Sequence, residues 1–233
     1  MSALFRTEPF VGMIVAVLLV FSIILHELAH GYVALKCGDS TALYSGRLTL
    51  NPMAHFDIFG FLMLITVGFG FARPVPINPS NFRNYKKGYF LVSIAGVTVN
   101  IILAFLLLGI SYGILFLLSK FEQSALFEFF RIMLLATYYT AFFNLSLCFF
   151  NLLPIFPLDG FRVAETLTKY TNPVIRFLRN YGSMIMLALF GIHLICDMFG
   201  LPWYMNPLSI YFRYTADLVF DGFNWFWKMV FGV

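Results

Sequence analysis

The chain has 233 residues, of which 61% are hydrophobic and only 11% charged, with a mean hydropathy of +0.85. That apolar surface exceeds what one soluble core of this size can hide, so the composition excludes a soluble globular enzyme and implies a polytopic membrane protein in a lipid bilayer. The formal charge of +4 is modest and no stretch concentrates enough Lys and Arg to neutralise many phosphates, which excludes a nucleic-acid partner.

The first apolar stretch, Phe10 to Leu35, is long enough to cross a bilayer, and it lacks the basic flank and small-residue cleavage site of a signal peptide. It reads as a retained helix, and it carries His26-Glu27-Leu28-Ala29-His30. A charged glutamate near the middle of such a helix costs on the order of 3 kcal/mol, and a bound metal is the natural compensation. Residues four apart share a helix face, so His26 and His30 can present their imidazoles to one tetrahedral zinc ion. Glu27 lies about 100° round the helix. It is therefore a neighbour of the metal and not a ligand, placed to take a proton from an activated water and pass it to a leaving amine.

The next apolar run, Ile58 to Phe71, is only fourteen residues long, holds Gly60, Gly68 and Gly70, and ends at Arg73-Pro74-Val75-Pro76. This predicts a re-entrant hairpin or β segment, not a crossing. Arg73 to Gly88 reads as an ordered loop. Tyr89 to Leu118, Leu126 to Ile155, Gly182 to Met198 and Leu208 to Val233 follow as further spans, giving about five transmembrane helices in an all-α fold. Residues 1–233 form a single integral membrane domain, with a catalytic core over about 10–162 and C-terminal helices over about 180–233. The three tryptophans fall at or after Trp203 and read as interfacial anchors. Cys37, Cys148 and Cys196 are far apart, without a CxxC, and suggest neither a disulfide framework nor a thiolate zinc site.

If Ile58 to Phe71 turns back, Lys36, Arg47, Arg73, Arg83, Lys86, Lys87, Arg162, Lys169, Arg176 and Arg179 share one side of the membrane. The positive-inside rule makes that side cytoplasmic. The N-terminus then lies outside and, after five spans, the C-terminus inside. In a prokaryote this membrane is the cell membrane.

A catalytic zinc has three protein ligands and an open position, so one ligand is still to be found. The candidate is Asp159, at the end of Asn151-Leu152-Leu153-Pro154-Ile155-Phe156-Pro157-Leu158-Asp159-Gly160. Its two prolines unwind the end of a long apolar helix, and such backbone makes sense at membrane depth only where it lines a protein-enclosed cavity. His26 and His30 lie toward the cytoplasmic end of the first span. Asp159 can reach them only if the intervening crossings return the chain to that side, which again favours the re-entrant reading.

HELAH followed by NLLPIFPLDG resembles the site-2 protease family of intramembrane zinc metalloproteases. Gly46 to Pro52, Ala72 to Pro79 and Ser93-Ile94-Ala95-Gly96 are similar to the compact branch of that family, without PDZ or CBS domains. The resemblance implies a three-helix catalytic core. In it, His26, His30 and Asp159 bind one Zn2+ per chain, Glu27 activates water, and Asn151 helps to hold or polarise the scissile carbonyl. It further implies cleavage within or near transmembrane segments of single-pass membrane proteins, with the active site toward the cytoplasm. Val97 and Phe161 depart from the family pattern without touching a ligand.

The competing reading is an intramembrane metal-ion transporter or channel that uses the same His and Asp residues as a transit site. Asn144 and Asn100 read as amides that tie helices together. His55 reads as a solvated or capping residue, and His193 and Asp197 as an interfacial hydrogen-bonded pair.

Overall fold

In the computed structural model the described residues are 2–66, 73–119, 125–169 and 171–232, and within them the regular structure is all helical, without a strand. Four helices are long and apolar enough to cross a membrane: α2 (Pro9–Cys37), α6 (Tyr85–Leu118), α7 (Ala125–Asn151) and α9 (Pro173–Met198). Shorter helices connect them: α1 (Ser2–Thr7), α3 (Thr41–Tyr44), α4 (Pro52–His55), α5 (Ile58–Thr66), α8 (Asp159–Leu167), α10 (Pro207–Tyr214) and α11 (Ala216–Phe231).

The helix ends follow local chemistry. Pro9 occupies the first turn of α2, and Gly38 closes it, with the Gly38 and Asp39 N–H groups donating to the Leu35 and Ala34 carbonyls. The Asn84 side chain caps α6 by accepting from Lys87 N, and Asn172 caps α9 by accepting from Val174 N. This cap and Pro173 start α9 nine residues before Gly182, so Arg176 and Arg179 belong to its first turns and not to a loop.

Helices α2, α6 and α7 pack on one another, and polar side chains tie them where no aqueous hydrophobic force acts. Asn144 on α7 donates to Ser22 Oγ on α2 at 3.0 Å, and Ser111 on α6 donates to Thr137 on α7 at 2.8 Å. Asn144 is therefore the packing residue that its position suggests.

The described part of this apolar run, α5, has nine residues and rises about 14 Å, less than half of a ~30 Å hydrocarbon core. Gly68 and Gly70, on which the hairpin reading rested, lie outside the described residues. The last apolar stretch differs from a single span: it breaks at Thr215 into α10 and the sixteen-residue α11. Trp227 packs on α6, its Nε1 donating to the Phe105 carbonyl at 3.1 Å.

Candidate active site

The third turn from the end of α2 and the first residue of α8 meet beneath α6. His26 Nε2 and His30 Nε2 are 3.0 Å apart, and they lie 3.2 and 3.1 Å from Asp159 Oδ2. All three residues are buried, and they are the one His/Cys/Asp/Glu group among the described residues with metal-binding proximity. Four donors around zinc at about 2.0–2.1 Å stand roughly 3.3 Å apart, so these separations fit one small cation. Asp159 Oδ2 is itself buried without a hydrogen bond of proper geometry, although two ring nitrogens are close. Lone pairs converge there, as they must around a metal.

The far sides of the ligands are held too. His30 Nδ1 donates to the Val92 carbonyl on α6 at 2.7 Å, which fixes the tautomer that leaves Nε2 free to ligate. His26 Nδ1 lies 3.2 Å from the Asn100 side-chain amide on the same helix. Asn100 is fully buried, and its Oδ1 has no partner among the described residues. With the amide turned so that Oδ1 faces the ring, Oδ1 accepts the Nδ1 proton that ligation at Nε2 requires, and both groups are satisfied. Asn100 thus ties α6 to α2, as its position suggests, and does so through a histidine of the candidate site. Gly96, one turn before it, lets the ring in: a Cβ there would stand 2.5 Å from His26 Nε2. A small residue and an amide four apart on the face toward α2 are the sequence signal for this support.

Asp159 is positioned by the end of α7. Beyond Asn151 the chain turns through Leu152 to Leu158, and α8 then starts at Asp159. A Cβ on Gly160 would collide with the carbonyls of Leu152 and Leu153, so only glycine lets the turn close this tightly. Arg162, one turn on, stands 3.7 Å from Oδ1 and leaves Oδ2 to the imidazoles. Burial alone would raise the Asp159 pKa. His30 and His26 outweigh it, so the carboxyl sits well below the ordinary range, in the charged form that a metal ligand needs.

Glu27 is half-buried beside the cluster, and its Oε2 accepts the Val75 N–H at 2.9 Å. Val75 belongs to the non-helical segment 73–78, which reaches the site through this contact. Arg47 holds that segment by donating to the Arg73 and Pro74 carbonyls at 2.7 and 3.1 Å. A cavity of about 550 Å³ lies between, lined by His26, Glu27, His30, Asp159, Val75 and Asn151 among others. The Asn151 amide donates to the Leu147 carbonyl at 3.0 Å within its own helix and faces this cavity.

The other histidines stand apart. His55 is buried and pairs through Nε2 with the Thr49 carbonyl at 2.9 Å. His193 Nδ1 meets the Asn206 amide at 2.8 Å, while Asp197 is exposed.

Three converging ligands, a carboxylate beside them and an apolar helical surround are the parts of a metal-dependent hydrolase set in a membrane. Comparison with known proteins names the class. The profile described as "Peptidase family M50" matches residues 14–192. The Bacillus subtilis (strain 168) protein named "Putative zinc metalloprotease YwhC" is 43% identical over 181 residues, covering 74% of this chain and 77% of its own. Two mycobacterial proteins named "Putative zinc metalloprotease Rip2" also match. The Mycolicibacterium smegmatis protein is 28% identical over 79% of this chain and 70% of its own, and the Mycobacterium tuberculosis H37Rv protein is 30% identical over 81% and 71%. No solved structure matches. The chain belongs to peptidase family M50, the site-2 protease family.

Proposed function

We propose that this chain is an intramembrane zinc metalloprotease in which His26, His30 and Asp159 hold one zinc ion and Glu27 is the general base. The observation that carries this reading is the meeting of three buried ligand atoms within 3.2 Å of one another beside a glutamate. Zinc in such a site supplies Lewis acidity, which brings water toward deprotonation near neutral pH and polarises a carbonyl. Glu27, oriented by the Val75 N–H, takes the proton from the attacking water and returns it to the leaving amine. Asn151 presents a side-chain amide to the cavity, where it can hold the scissile carbonyl.

The substrate in this reading is a transmembrane segment of a single-pass protein. A helix hides its carbonyls in its own hydrogen bonds, so the segment must unwind locally before attack. The non-helical backbone at 73–78, which lines the same cavity through Pro74, Val75 and Ile77, offers an edge along which an unwound strand can lie. Helices α2, α6 and α7 form the catalytic core, and the basic loops around it face the cytoplasm.

Glu27→Gln tests the reading. Purified protein should keep one zinc per chain while cleavage of a model single-pass substrate falls by about 10²- to 10⁴-fold. Asp159→Ala should lose the zinc itself. Undiminished turnover by Glu27→Gln would sink the assignment, since a transit site for ions tolerates that change and a hydrolase does not.

A further inference from the structure

A second cavity, of about 640 Å³, lies on the flank of the α2/α6 seam and shares no lining residue with the active-site cavity. Its mouth carries Lys36 at the end of α2, and Arg83 and Lys87 at the start of α6, all exposed. Its deeper walls are apolar, with Ala29 and Val33 from α2 and Leu91, Ile94 and Val99 from α6. Thr98, exposed at the end of the groove away from the cations, turns its hydroxyl back to the Ile94 carbonyl at 2.7 Å, so its donor is satisfied within α6.

Three properties define what fits. The first is charge. No acidic residue lines the cavity, and among the described residues none of the three cations has an ion-pair partner. Asp39, the nearest carboxylate in sequence, is buried behind the end of α2 and taken up by Thr41, Asn78 and Asn81. The first turn of α6 adds the positive end of a long helix dipole at the same mouth. The second is depth: from Lys87 to Thr98 the α6 backbone rises about 16 Å, close to half of a ~30 Å hydrocarbon core. The groove is therefore one leaflet deep. The third is position, since its cations stand at the basic ends of two spanning helices, at headgroup level.

We infer that this groove is a binding site for one anionic phospholipid of the leaflet on the basic side, its phosphate between Lys36, Arg83 and Lys87 and an acyl chain along Val33, Leu91 and Ile94. A soluble anion would satisfy the rim alone and leave the apolar walls uncovered. A substrate helix in this groove would be screened from Asp159 by α2 and α6 themselves. Because the walls are the two helices that carry His26, His30 and Asn100, the lipid braces the seam against which the ligands are set.

The test uses full-length protein in detergent micelles doped with equal phosphatidylglycerol and phosphatidylcholine, read by native mass spectrometry, with zinc content as the check on folding. The wild type should retain one phosphatidylglycerol per chain with at least about tenfold preference. The triple variant Lys36→Gln, Arg83→Gln, Lys87→Gln should lose that preference and keep its zinc. Thr98→Phe, which fills the end of the groove away from the cations, should lose retention with the rim intact. A control triple, Lys86→Gln, Lys169→Gln, Arg176→Gln, removes equal charge elsewhere and should behave as wild type. Equal loss in both triples would reduce the effect to diffuse attraction and overturn the site. Displacement of the lipid by millimolar inorganic phosphate, or insensitivity to Thr98→Phe, would overturn the acyl groove.

Discussion

An imidazole ligates through Nε2 only if something accepts the proton on Nδ1, and the two histidines meet this need differently. His30 uses a backbone carbonyl, which no side-chain substitution removes, whereas His26 depends on Asn100. Asn100→Leu keeps the volume and deletes the acceptor, so zinc affinity, measured by competition with a chelator, should fall about 10- to 100-fold. Asn100→Asp retains an acceptor and should recover most of it. Equal losses in both would mean that Asn100 only packs. At this scale spacing and valence pointed to His26 and His30 by their helical period and to Asp159 as a third candidate, and these three do come together. The role of Asn100 was not legible in the same way. A buried membrane amide has a ready use in joining helices, and its true neighbour depends on how α6 is rotated against α2.

Among the elements, the non-helical segment from residue 73 to the η turn at Pro79–Asn81 matters most, because it delivers the Val75 N–H to Glu27. It has no ladder or helix of its own to hold it. Asp39 does so instead, accepting from Asn78 N at 2.7 Å, Asn81 Nδ2 at 2.8 Å, and Thr41 Oγ1 and N at 2.5 and 3.1 Å. Burial alone would raise the Asp39 pKa, but these donors from Thr41, Asn81 and Asn78 prevail and hold it below its ordinary 3.8. A carboxyl depressed on folding contributes stability that is whole above its unfolded pKa and lost as pH falls through the folded one. The tether should therefore be intact from neutrality to about pH 5 and weaken below pH 4. Asp39→Asn should cost about 2 kcal/mol at pH 7 in thermal unfolding, because its NH2 opposes donors, and the gap from wild type should narrow progressively as pH falls below about 4. A pH-independent gap would remove the carboxylate from this role. The long helices were readable from apolar length alone. This loop's order was only partly so, since its bonds join residues about forty positions apart.

For the whole molecule, a zinc ion held as proposed would tie α2 to the start of α8, so chelation should lower the unfolding temperature of the wild type and leave Asp159→Ala, expected to lack the metal, unmoved.

The direction of the last helices is the harder question, and packing answers what apolar length could not. Counting five long stretches as five crossings put the C-terminus with the basic loops. Leu208, opening α10, instead packs on Phe150, Leu153 and Leu158, at the end of α7 that leads to Asp159. From there α11 runs alongside α6 in the same direction: Trp227 reaches Phe105 and Gly109, and Phe231 reaches Gly113 and Phe116 near the α6 C-terminus. The N-terminus stands at that same end, where Glu8 pairs with Arg131 at 3.1 Å near the start of α7. On this packing we propose that α10 and α11 together carry the chain across once and that α9 makes no net crossing, since Leu208 packs beside the turn that leads to Asp159. The parity predicts a C-terminus outside, not inside. Cysteines introduced in a Cys37→Ser background read it directly, since the native Cys148 and Cys196 are buried. Tyr44→Cys, in the basic loops, should react with an impermeant maleimide only after cells are opened, and Met229→Cys should react in intact cells; both native side chains are exposed, at 87% and 61%. Labelling of both from the cytoplasm would restore the fifth crossing and show that α9 spans the bilayer in full.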